Sequence, residues 1–207
     1  MEASEVAEKI HEHHEHEHAQ APPTLTAFRR VAGIYLGAIA MLLAISTLGG
    51  AEATKEMLNA NIHASDTYAF YQAKNIRQTL YQTSAAQLEL LIAGANALPP
   101  AESGKAQDLI KRYRETAARY ESEPATGDGK KELMAKAKAW EKRRDHAAEK
   151  IPNFEYAEAL FQIAIVLGSV AIVATSRALL GLSGVLAAMA ILMTANGYLL
   201  LVPLGHH

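Results

Sequence analysis

An all-α membrane protein is the fold class this sequence predicts: three transmembrane helices, with a long antiparallel helical hairpin between the first and second. Three observations carry that expectation. The 21 residues from Val31 to Ala51 contain no charge. Two further apolar runs close the chain, separated only by Arg177. Between the first and second runs lies a 107-residue insertion, 52–158, carrying 16 basic and 16 acidic side chains.

Residues 1–30 form a polar tail of low complexity. Pro22-Pro23 breaks the chain near its end, Thr26 is positioned to cap the helix that follows, and Arg29-Arg30 mark a membrane edge. The first span, 31–51, reaches roughly 31 Å at 1.5 Å per residue, enough for a hydrocarbon core of about 30 Å. A cleaved signal peptide is the competing reading, since Ala51-Glu52-Ala53 resembles a small-x-small cleavage site. It fits less well: the preceding region is long and acidic, and the apolar run exceeds the usual h-region of about 7–15 residues.

The insertion is punctuated by proline and glycine. No proline occurs between Pro23 and Pro99, so the first helix is expected to leave the membrane and continue to about Ala97, with Gly49-Gly50 as its soft point. Pro99-Pro100 and Gly104 predict a turn, and Pro124, Gly127 and Gly129 a second break. The outgoing arm, 52–97, would reach about 69 Å, and the returning pieces 104–123 and 130–158 about 73 Å together. The lengths match only if both pieces return, so the second break is an offset rather than a reversal. Pro152 is expected to kink the last piece and Asn153 to cap it.

Apolar stripes at three- and four-residue spacing assign the coiled-coil-like core. In the outgoing arm these are Ala69, Ala73, Ile76, Leu80, Ser84, Leu88 and Leu91. In the return they are Leu109, Tyr113, Ala117 and Tyr120, then Leu133, Ala137, Trp140, Ala147 and Ile151. The second span, 159–176, and the third, 178–204, read as a tight hairpin, because one continuous helix would bury Arg177 without a partner.

Residues 65–82 hold the sharpest motif: Asp66, Tyr68, Tyr71, Gln72, Ala73, Lys74, Ile76 and Arg77. It resembles the signature of a bacterial membrane-protein family catalogued only as a domain of unknown function, whose members have one N-terminal span, a charged helical hairpin and two closely spaced C-terminal spans. The resemblance extends over nearly the whole chain and implies that layout, without chemistry. This chain departs from it in having Tyr68 in place of a tryptophan and a less basic turn at Ser176-Arg177.

Candidate sites follow from residue type. Asp66, Tyr68, Tyr71, Gln72, Lys74 and Arg77 form a candidate interaction surface, with tyrosine and arginine as natural anchors; packing within the hairpin is the structural alternative. His11, His13, His14, His16 and His18, interleaved with glutamates, suit weak binding of zinc, nickel or copper, as any His-rich tract does. His63 and His146 fall at similar distances from their spans. Gly33 and Gly37, Ala164 and Gly168, and Gly184 and Ala188 are small-residue pairs suited to close helix packing, and Gln162 is placed to hydrogen-bond Asn196.

No cysteine is present, which excludes disulfides and thiol chemistry. The net charge of −2 speaks against a nucleic-acid binder. No ionisable residue lies inside any span, which argues against a proton-coupled transporter or pump. The expected function is a non-enzymatic, cofactor-free scaffold or accessory subunit of a bacterial inner-membrane assembly. Its partners would be the lipid bilayer, further copies of itself or other membrane subunits. A metal-responsive sensor using the histidine tail is the alternative. Arg29, Arg30 and Arg177 on short flanks place the N-terminus in the cytoplasm and the hairpin in the periplasm.

Overall fold

A computed structural model describes residues 23–94 and 99–203. Among the described residues are five helices and no strand: α1 Pro23–Ala93, α2 Pro100–Glu121, α3 Lys130–Ala148, α4 Ile151–Val173 and α5 Arg177–Leu199. Three helical stretches, Leu25–Ala93, Lys130–Val173 and Arg177–Leu199, are long and apolar enough to cross a membrane. The chain divides into two compact units. One joins the residues up to Ala51 to those from Lys150 onward, and the other is Glu52–Glu149. Helix α1 starts at Pro23, ahead of Thr26, because proline at the first helical position costs no hydrogen bond. It runs unbroken through Gly49-Gly50.

In the three-helix unit, α4 and α5 are antiparallel. Asn196 Nδ2 donates to Asn153 Oδ1 at 2.6 Å near one end, and Ser183 Oγ donates to the Ala164 carbonyl at 2.6 Å further along. They are joined at Ala174–Ser176, where Thr175 takes a left-handed φ of 49° and Ser176 Oγ caps α5 by accepting from Leu179 N. Arg177 is the exposed first residue of α5. The α1 segment is held by Tyr35 on Ser183 at 2.9 Å, Thr194 on Ser46 at 3.2 Å, and the Tyr198 hydroxyl on the Ile45 carbonyl at 3.2 Å. Phe161, Ile39, Ala157, Ala164, Ala187 and Ala190 form the core. Large aliphatics such as Val166, Val170, Leu182, Val185 and Leu192 point outward.

Phe154 fits where three glycines open a space. A Cβ at Gly49 would stand 2.6 Å from its ring, and one at Gly197 2.8 Å. Gly168 meets Leu36 and Ser183 in the same way. Three expectations are corrected here. On α5 the packed face is Ser183, Ala187, Ala190 and Gly197, while Ala188 is exposed and Gly184 has only Tyr35 at the edge of contact. Asn196 pairs with Asn153 and with the Val202 carbonyl, and Gln162 is exposed. Asn153 therefore lies buried inside α4 rather than capping it, while Pro152 sits in the first turn of α4, directly after the interruption at Glu149–Lys150 that separates α3 from α4, as its missing N–H predicts.

In the polar unit, contacts pair rising numbers on α1 with falling numbers on α2 and α3. Glu56 meets Arg143, His63 meets Trp140, Gln78 meets Ala117 and Glu89 meets Arg114. The break between α2 and α3 is held by Glu132, which accepts from Ser122 Oγ at 2.6 Å and Glu123 N at 3.2 Å. Gly129 packs so closely there that a Cβ would collide with Glu132 and the backbone at Ser122 and Glu123. The buried return residues include Ala117, Leu133, Ala137 and Ala147, as the stripes predict, but Leu109 is exposed and its neighbour Ile110 is buried in its place.

The α1 face is another matter. Its buried residues are Ala53, Ala60, Ala64, Thr67, Gln78 and Ala85, whereas Ile76 is 68% and Leu80 63% exposed, with Leu91 and Leu90 alike outside. Ala69 and Ala73 are exposed too, and Ser84 and Leu88 half-buried. The expected core stripe is therefore largely surface. Alanine and threonine on the inner face let the helices approach closely, which the large aliphatics would prevent.

Replacing Phe154 by alanine should lower the unfolding free energy by about 3–5 kcal/mol, because its space cannot collapse. Ser183→Ala should cost only about 0.6–2 kcal/mol. Thermal unfolding in detergent, followed by circular dichroism, checks both; equal effects would contradict the role given to Phe154.

Candidate functional site

The polar unit is knotted by one lysine. Lys130, the first residue of α3, donates from Nζ to Gln78 Oε1 at 2.7 Å and to Glu121 Oε2 at 3.4 Å, and lies 5.6 Å from the Tyr71 ring centroid. Its side chain is 14% exposed. Gln78 Nε2 in turn donates to the Ala117 carbonyl and to Glu121, each at 3.1 Å. Three helices thus share one hydrogen-bond network. The bonds from Gln78 and Lys130 hold the Glu121 carboxyl below the ordinary value of 4.5. Those from Ser122 and the backbone do the same for Glu132.

Beside this knot the unit has a cavity of about 550 Å³. Asp66, Phe70, Lys74 and Arg77 line it from α1, one face of the helix at three- and four-residue steps. Lys136 and Trp140 close it from α3, with Leu133 as apolar floor, and Asp128 contributes from the preceding turn. The His63 ring stacks on Trp140 with centroids 4.5 Å apart and planes 21° apart. The Arg143 guanidinium lies 5.6 Å from the Trp140 ring centroid while its Nε donates to Glu56 at 3.0 Å. The Lys74 ammonium lies 5.2 Å from the Tyr120 ring centroid.

The six motif residues therefore separate. Asp66, Lys74 and Arg77 reach the cavity. Tyr71 lies under Lys130. Tyr68 is turned toward Glu141, where burial first and then a hydrogen bond to that carboxylate push its phenol above 10.0. Gln72 is exposed. Sequence reasoning missed Lys136 and Asp128 and assigned Trp140 to the core. The spacing of His63, Asp66, Phe70 and Arg77 (three, four and seven residues apart) was the signal that they share a face. His146 is exposed, and His63, which falls at a similar distance from its span, stacks on Trp140. Among the described residues no group of three or more His, Asp or Glu side chains converges as metal ligands. His11, His13, His14, His16 and His18 lie outside the described residues.

Lys130→Ala should leave Gln78 and Glu121 without their cation and cost about 1–3 kcal/mol of stability. A carboxylate whose folded value is depressed stabilises fully above its ordinary value, 4.5, and loses that contribution as pH falls through the lower folded value. Acid titration of unfolding should therefore show a fall below that point which Glu132→Gln diminishes; an unchanged slope would contradict the clasp. No curated protein and no solved structure matches the chain. A family described as Domain of unknown function (DUF4337) matches over residues 28–200. The chain belongs to that DUF4337 family.

Proposed function

We propose that the chain is a membrane-anchored, non-enzymatic scaffold or accessory subunit of a larger bacterial inner-membrane assembly. One observation carries this reading: Leu58, Ile62, Ile76, Leu80, Leu90 and Leu91 leave a run of large aliphatic side chains uncovered along α1 in the polar unit. Large exposed apolar patches mark interaction sites on soluble surfaces. Gln72, one turn before Ile76, is the member of the motif that falls beside this face.

The three-helix unit supports membrane anchorage by its polarity. Its outward residues are valine, leucine and isoleucine, and its inward ones include Ser46, Ser183 and Asn153. That distribution suits helices solvated by lipid and joined by small and hydrogen-bonding residues. Among the described residues nothing outside the helix's own backbone lies within 4 Å of a Cβ added at Gly33 or Gly37, which suits the pair to receive a helix of another molecule. The short flanks bearing Arg29, Arg30 and Arg177 favour the cytoplasm for the N-terminus, with the polar unit in the periplasm.

Purification in mild detergent should yield a homo-oligomer or a fixed partner, read by native mass spectrometry. Ile76→Glu with Leu80→Glu should release it while changing unfolding by no more than about 0.5 kcal/mol per substitution, the usual cost at exposed sites. A partnerless monomer would overturn the proposal. Protease added to right-side-out vesicles should cleave at the 124–128 turn; full protection would reverse the orientation.

A further inference from the structure

The cavity beside Trp140 has a chemistry that scaffolding does not use. We propose that it binds a small, flat organic monoanion, an aromatic carboxylate that also carries a hydrogen-bond donor. Its volume, about 550 Å³, lies within the range of small-molecule sites. Three cationic side chains, Lys74, Arg77 and Lys136, face two carboxylates, Asp66 and Asp128. Among the described residues neither Arg77 nor Lys136 has a carboxylate within 4.0 Å. A guanidinium beside an ammonium is suited to a ligand carboxylate, the first as a planar fork and the second as a point charge.

The walls select the rest of the ligand. Trp140 is held by the stacked His63 ring and by Arg143, so its orientation is set before anything binds. Phe70 is 65% exposed although it borders the cavity, apolar area that packing within the unit leaves unused. Together the two rings offer faces and edges to a flat apolar body. Asp66 and Asp128 accept hydrogen bonds but donate none when ionised. They therefore favour a hydroxyl or amino substituent and repel a second negative charge. A simple inorganic anion would leave the aromatic walls unused, and an uncharged ring would leave the cations unpaired.

This inference stands independently of the partner reading: failure to find a partner leaves it intact, and failure to find a ligand leaves the exposed α1 stripe unexplained by it. Trp140 is the only tryptophan in the chain, so its emission reports on this cavity alone. The test is titration of the full-length protein in detergent with 4-hydroxybenzoate, read by tryptophan fluorescence and by calorimetry. Saturable binding tighter than about 1 mM is expected. Arg77→Gln and Lys136→Gln should each weaken it at least about tenfold, while Arg112→Gln, at an exposed position of α2, should leave it unchanged. Phenol, lacking the carboxylate, and terephthalate, carrying two, should also bind at least about tenfold more weakly. Binding that fails to saturate by about 10 mM would overturn the proposal as partition into micelles. So would equal affinity for phenol, or an unchanged isotherm in both cation variants with helix content intact.

Discussion

Helix contact through alanine is the constraint on which both units depend. The buried apolar positions are mostly alanine: Ala60, Ala64 and Ala85 on α1, Ala117 on α2, Ala137 and Ala147 on α3, Ala157 and Ala164 on α4, Ala187 and Ala190 on α5. Small faces allow backbones to approach and side chains to interlock at close range. They bury little area each, so the hydrophobic gain per residue is small. Few larger residues enter the core: Ile39, Phe161, Ile110, Leu133 and Phe154, the last against its glycines.

Because apolar burial is thin, polar ties set the register. In the three-helix unit, Tyr35, Ser183 and the Ala164 carbonyl link three helices, and Asn153–Asn196 fixes the pairing of α4 with α5. In the polar unit, Lys130, Gln78 and Glu121 do the same. Such ties are directional, so a slip of one residue would leave buried groups unpaired, which costs more than the bonds themselves contribute. The same economy places the large aliphatics of α1 outside and leaves the polar unit with two unlike surfaces: an apolar stripe and a charged, aromatic-lined cavity.

Element boundaries were legible because charge-free runs and proline positions report directly on length and on chain breaks. The turn at Arg177 and the break before Lys130 follow from such signals, and the return face through Ala117, Leu133 and Ala137 from its apolar spacing. The inner face of α1 did not, since a hydrophobicity pattern favours Ile76 and Leu80 over Ala60 and Ala64. Hydropathy measures transfer from water; it does not measure how closely two helices must approach. Gly184 and Ala188 were chosen by small-residue spacing, which in an Ala- and Gly-rich helix fits the adjacent face through Ser183 and Ala187 equally well. Of the candidate site, Asp66, Lys74 and Arg77 could be read from a local motif, but Lys136 and Trp140 lie more than 50 residues further along and join them only through tertiary packing.

The clasp at Glu132 has a practical consequence for engineering. It fastens both sides of the α2–α3 break, Ser122 and Glu123 on one and Gly129 packed on the other, while Pro124, Ala125 and Thr126 between them are exposed. Strain introduced at the tip would be absorbed before it reached either helix. An inserted epitope or fluorescent module is best tolerated at exposed loop tips of this kind. That turn is accordingly the natural port through which the protein could be tagged internally with both of its termini left untouched.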